Sequence, residues 1–93
     1  MKIIPSKNKK YKYSAYFKLD NGKEKKVNFG AKGYSDYLLS GDKDKRERYR
    51  KRHAKDLKTK DPTRAGYLSY YILWGDTTSL GGNINIYKRK FNL

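Results

Sequence analysis

Residues 67–75 read YLSYYILWG, a run without a charged side chain in a protein where 35% of residues are charged. Wound as a helix, Tyr67, Tyr70, Tyr71 and Trp74 share one face, and Leu68, Ile72 and Leu73 cover the others. A helix apolar nearly all round is normally buried. The remaining apolar side chains must therefore gather around this segment. The chain has 93 residues, which makes one domain. A domain of that size buries roughly 60–65% of its unfolded surface, so there is room for one small core and little for a deep substrate pocket.

Three other segments carry matching apolar faces. In YKYSAYFKLDNGKEKKVNFGA, Tyr11, Tyr13, Ala15, Phe17 and Leu19 alternate with Lys12, Ser14, Tyr16 and Lys18, and Val27, Phe29 and Ala31 alternate with Lys26 and Asn28. This predicts a β-hairpin over about 10–31. A two-residue turn at Asn21-Gly22 would pair Phe17 with Lys26 and put Val27 and Phe29 on the wrong face. A three-residue loop, Asp20-Asn21-Gly22, instead sets Tyr13 against Phe29, Ala15 against Val27 and Lys18 against Glu24. It requires Gly22 in the left-handed conformation. KII at residues 2–4 is a candidate for a short third strand ahead of Pro5.

Helices are expected over about 42–57, 62–74 and 79–91. The first presents Tyr49, His53 and Leu57 as one narrow apolar line, with Asp42 and Asp44 suiting its N-terminus. The second is capped by Asp61 or Thr63, takes Pro62 in its first turn and stops at Gly75. The third is capped near Thr78 or Ser79 and carries Leu80, Ile84, Tyr87 and Phe91 on one stripe. Between hairpin and helices, GAKGYSDYLLSG reads as a loop anchored by Tyr34 and Tyr37. The expected fold is α+β: a hairpin followed by three helices, packed on the Tyr/Trp/Leu-rich central helix, with residues 1–93 forming one basic domain.

The charge is the functional signal. Twenty-four Lys and Arg face nine Asp and Glu, a net of +15. Such an excess repels itself and attracts polyanions. The 15% of aromatic residues, in periodic patterns, argues for a fold rather than disorder. Residues 1–32 carry ten Lys and two acids, and residues 42–60 carry ten cations and four acids. Without cysteine, disulfides and Cys-ligated zinc are excluded. No apolar run approaches the ~20 residues that span a bilayer, and MKIIPSKNKK lacks the apolar core of a signal peptide.

The segments GYSDY (33–37), RYRKRH (48–53), TRAG (63–66), LSYYILWG (68–75) and YKRKF (87–91), in this order, resemble a family of small basic uncharacterised proteins of nucleocytoplasmic large DNA viruses, the giant and algal viruses. The likeness covers most of the chain. LLSGD departs from that family's pattern, and nothing is carried over there. The resemblance implies a viral origin and a place in the virion or in the virus factory of the host cytoplasm. It supplies no catalytic residue.

Candidate binding residues follow from the charge runs. Lys43, Arg46, Arg48, Arg50, Lys51, Arg52 and Lys55 lie on the first helix, and Arg64 extends them at the start of the second. Guanidinium groups grip phosphate bidentately. Lys9, Lys10 and Lys12 form an N-terminal group suited to phosphate backbone. Tyr16, on the hairpin face opposite the core, is the candidate for stacking on an unpaired base. His53, the single histidine, lies on the apolar line and lacks the partners of a catalytic triad. No carboxylate cluster or phosphate-binding glycine loop is present. The expectation is a protein that is not an enzyme and takes no metal, cofactor or small-molecule substrate. Its expected partner is nucleic acid, DNA favoured, bound non-specifically for genome condensation. The alternative is a minor capsid or cement protein using the same cations on acidic surfaces of other virion proteins or on membrane.

Overall fold

A computed structural model describes all 93 residues, Met1–Leu93. Three antiparallel strands, β1 (Lys2–Pro5), β2 (Tyr11–Lys18) and β3 (Glu24–Ala31), form a sheet in the order β1-β2-β3. The hairpin register is the expected one: Tyr13 opposes Phe29, Ala15 opposes Val27 and Lys18 opposes Glu24. Leu19 N–H donates to the Lys23 carbonyl at 2.8 Å, and Gly22 takes φ +80. Only the three-residue loop satisfies both. β1 adds Ile3 beside Ala15 and ends in Pro5, which an edge strand tolerates.

The helical part departs from expectation in its details. Asp36 accepts from Leu39 N–H and starts a one-turn helix, α1 (Tyr37–Ser40), which Gly41 ends in the left-handed conformation. That Asp…Gly signature lies inside the segment expected to be loop. Of its two expected anchors, Tyr37 is buried and Tyr34 is 73% exposed. α2 (Lys43–His53) is capped by Asp42, whose side chain accepts from Lys45 N–H. It then tightens into a 3₁₀ segment, Ala54–Thr59, where a continuous helix to residue 57 was expected. The central helix starts at Ala65, with Arg64 rather than Asp61 or Thr63 at the cap. α3 (Ala65–Leu68) runs directly into a π-helical turn, Ser69–Leu73. Asp61 instead binds Thr63 N–H and Oγ1 in the preceding turn. α4 (Leu80–Phe91) is capped by Ser79.

One core joins these layers. Ala15, Phe17 and Phe29 from the sheet meet Leu68, Ile72, Leu73 and Trp74 from the central helix and Tyr87 from α4. Leu80, Ile84 and Phe91 complete the α4 stripe against it. Gly30 has φ +78, and a Cβ there would lie 2.8 Å from Leu73 Cδ1, so the absent side chain admits the π turn to the sheet. Asn83, 1% exposed, links α4 to the end of that turn. Its Nδ2 donates to the Ile72 and Thr77 carbonyls, and its Oδ1 accepts from Thr77 N–H and Oγ1. No helix is long and apolar enough to cross a membrane.

Candidate nucleic-acid interface

Successive residues of an α-helix are turned by about 100°, so side chains at i, i+3 and i+4 share a face. On α2 this divides the cations into two classes. Arg46, Tyr49, Arg50 and His53 share the face toward the central helix. Arg50 Nε donates to the Trp74 carbonyl at 2.8 Å, and its Nη2 pairs with Asp76 at 3.0 Å. Arg46 Nη1 reaches the Gly75 and Asp76 carbonyls at 3.4 Å, its Nε pairs with Glu47, and its guanidinium lies 4.6 Å from the Tyr37 ring centre. The carbonyls at the end of a helix have no partners within it. Arg46 and Arg50 supply donors for this end of the central helix, so these two expected phosphate ligands are internal clamps. Lys12 is drawn inward as well. Its Nζ lies 2.6 Å from both the Tyr34 carbonyl and Asp36 Oδ2, a pair in which Asp36 is 2% exposed.

The other class faces solvent. Lys43, Arg48, Lys51 and Arg52 are exposed and pair with no carboxylate; the same holds for Lys55, which lies not on α2 but in the 3₁₀ segment that follows it. Lys45, equally exposed, stands with Arg48 and Arg52 at i, i+3, i+7 and extends the strip toward the N-terminus of α2. Arg64 is exposed but lies 3.5 Å from Asp61. Lys9 and Lys10 are exposed in the β1–β2 connection. Of 24 Lys and Arg, only Lys12, Arg46, Arg50 and Arg64 pair with a carboxylate. The positive excess is therefore left on the surface.

Tyr16 lies on the middle strand with Lys2 opposite on one side and Lys26 on the other. Lys26 Nζ lies 5.9 Å from its ring centre, and the tyrosine is half-buried. Lys25 turns to Thr63 Oγ1 at 2.8 Å, beside Asp61. The two Thr63 hydrogen bonds hold the Asp61 carboxyl below the usual carboxylate range.

Two features of this face were not legible in the sequence. The first is a column of stacked rings, Trp74 on Tyr49 at 4.4 Å and Tyr49 on His53 at 4.1 Å between centres. His53 Nδ1 also lies 3.2 Å from Asp56. Burial pushes the Tyr49 hydroxyl pKa up, and the Asp56 charge adds to this. The second is a cleft of about 500 Å³ between the hairpin end and α2, lined by this column, Leu73, Tyr34, Lys45 and Arg52. The apolar line of α2 hinted at the column. Tyr34 was expected to anchor its loop inward, and nothing in the sequence marked it as an exposed ring at a cleft.

Residues 1–53 match a family described as a family of unknown function, DUF5754. The chain belongs to this family. The DUF5754 match takes in the sheet, α1 and the whole of α2, and it ends at His53, the last residue of that helix. Lys43, Lys45, Arg48, Lys51 and Arg52 thus lie inside the matched region, and Lys55, the central helix and α4 lie beyond it. Comparison with curated proteins and with solved structures gives no match.

Proposed function

We propose that this DUF5754 protein binds nucleic acid non-specifically, DNA before RNA, through Lys and Arg contacts to phosphates, and that it acts by binding rather than catalysis. The observation that carries the reading is the outer side of α2. Lys43, Lys45, Arg48, Lys51 and Arg52 project from one capped rod and Lys55 from the 3₁₀ segment that follows it; none pairs with a carboxylate, while Arg46 and Arg50 clamp the rod to the core. The helix fixes the spacing of these cations in advance, so only their side chains are ordered on meeting a phosphate backbone. Contacts of this kind position a protein on a duplex without reading bases. The resemblance to small basic proteins of large DNA viruses supports a role in condensing the genome within the particle.

A salt titration of duplex DNA binding tests this. Contact with ~6–10 phosphates gives a fall of about 10³–10⁵-fold in affinity between 50 and 200 mM salt. Weak binding with a flat salt profile removes the proposal. Tight binding to an acidic protein surface with none to DNA would favour the capsid alternative.

A further inference from the structure

We infer that the cleft between the hairpin end and α2 is a pocket for one unpaired nucleobase, at the end of the phosphate-binding strip of α2. The inference rests on the proposed nucleic-acid binding and names the part of the ligand that enters the fold. A volume of about 500 Å³ falls in the range of about 300–1,000 Å³ typical of small-ligand sites. Its lining is the mixture a nucleotide needs. Leu73 and the Trp74–Tyr49–His53 column give an apolar wall, and Lys45 and Arg52 stand at the cleft with no carboxylate partner. The one buried carboxylate there, Asp36, is already neutralised by Lys12.

Tyr34 supplies the stacking surface. Its backbone carbonyl is held by Lys12 Nζ at 2.6 Å, yet the residue is 73% exposed and its ring pairs with no other aromatic of the protein. Gly33 before it takes φ +90, a conformation that ordinary side chains rarely adopt. The ring is held by its backbone and left in water at the cleft, and a base entering the cleft would bury it. The wall is also where the central helix widens. Ser69 and Leu73, the two ends of the π turn, both line the cleft, and such turns occur often at functional sites. From Lys45 through Arg48 to Arg52 the strip runs about 10 Å along α2 at 1.5 Å per residue, and Lys55 continues it on the 3₁₀ segment. A single strand could thus lay phosphates along α2 and place one base in the cleft. A duplex, with its bases stacked inside, could use only the strip.

Trp74 is the one tryptophan of the chain, so its fluorescence reports the cleft. The full protein is titrated with thymidine monophosphate, inorganic phosphate, a short oligo-dT strand and a duplex of equal length. The expected result is saturable quenching by the nucleotide and the single strand but not by phosphate. Tyr34→Ala should weaken the single strand by about 5- to 150-fold, the range of one base–aromatic stack. It should leave duplex binding and the thermal midpoint unchanged, and Tyr34→Phe should bind as the native protein does. Equal quenching by phosphate alone, or single-strand binding indifferent to Tyr34→Ala, overturns the inference. Failure of the two readings is separable. Steep salt-dependent duplex binding with no effect of Tyr34→Ala removes the base pocket alone. Saturable nucleotide binding without duplex affinity removes the phosphate strip and leaves the pocket.

Discussion

Arg50 and Trp74 are joined by a hydrogen bond of 2.8 Å, from the guanidinium Nε to the backbone carbonyl, across 24 positions of sequence. The bond closes the end of the central helix and orients α2 at once. Arg46, one turn earlier, does the same for Gly75 and Asp76. Position on α2 thus separates arginines that hold the fold from arginines that face solvent, although the residue type is the same.

The two classes should behave oppositely on mutation. Arg50→Met removes a charged donor from a largely buried carbonyl and is expected to destabilise the protein by about 1.5–3 kcal/mol, read as a shift of the urea midpoint. Arg50→Lys should recover little of this, because one ammonium cannot reproduce the planar fork that spans Trp74 and Asp76. Replacing Arg48, Lys51 and Arg52 together by Gln should leave the midpoint within about 0.5 kcal/mol. The same change should flatten the salt dependence of DNA binding by roughly 0.9 in slope for each phosphate no longer neutralised. A large stability loss in the triple variant would contradict the assignment.

Asn83 is expected to be the most sensitive polar residue of α4. Asn83→Leu keeps the branched shape of the side chain but strips partners from the Ile72 and Thr77 carbonyls and from Thr77 N–H and Oγ1. An unsatisfied buried group costs about 1–3 kcal/mol, so a loss of about 3 kcal/mol or more is expected in chemical denaturation. A neutral result would mean that water replaces these bonds.

Two glycines should respond with opposite signs. A Cβ at Gly75 would collide with the Tyr71 carbonyl and lie 2.9 Å from Asn83 Cγ, both held in place, so Gly75→Ala should destabilise strongly. Gly81 lies exposed in the first turn of α4 with open space around its Cβ position. Gly81→Ala should raise stability by about 0.5–1 kcal/mol through helix propensity. Thermal melts of the two single variants check both.

Alkaline pH should unfold the protein through its tyrosines. Burial raises the pKa of Tyr49, Tyr71 and Tyr87 above the ordinary value of 10.0. A group that holds its proton more tightly when folded contributes stability that is whole below pH 10 and fades as pH climbs through the folded value. Tyrosinate absorbance should therefore show a late-titrating set that ionises together with loss of the circular dichroism signal. Early, independent titration of all ten tyrosines would refute the burial argument. Asp61 has the opposite sign: its pKa is depressed, so its contribution is present above 3.8 and lost as pH falls through the folded value.

The legible part of the fold was the part governed by local rules. Alternation in β2 and β3, together with the demand that Val27 and Phe29 face the core, selected one hairpin register over its neighbour, because a one-residue slip inverts every side chain. The helix starts were legible too: Ser79 was one of two expected caps, and Asp42, expected for its charge at the N-terminus, caps α2 through its side chain. The switch at Leu68 from α to π winding had no such signal. It depends on Gly75 admitting the Tyr71 carbonyl, on Asn83 binding the Ile72 carbonyl, and on the arginines of α2 reaching the turn's end.

The amino-acid order alone determined that a charged chain would wrap one aromatic helix and keep a large positive excess outside, since hydrophobic periodicity and charge imbalance are properties of the covalent sequence. Only the packed structure decided which cations remain available. Arg46, Arg50 and Lys12 found carbonyls and two carboxylates, Asp76 and Asp36, brought to them by distant segments, while Arg48, Lys51 and Arg52 met only solvent. A side chain's charge is set by its chemistry, but its partner is set by what the fold places within about 3 Å of it.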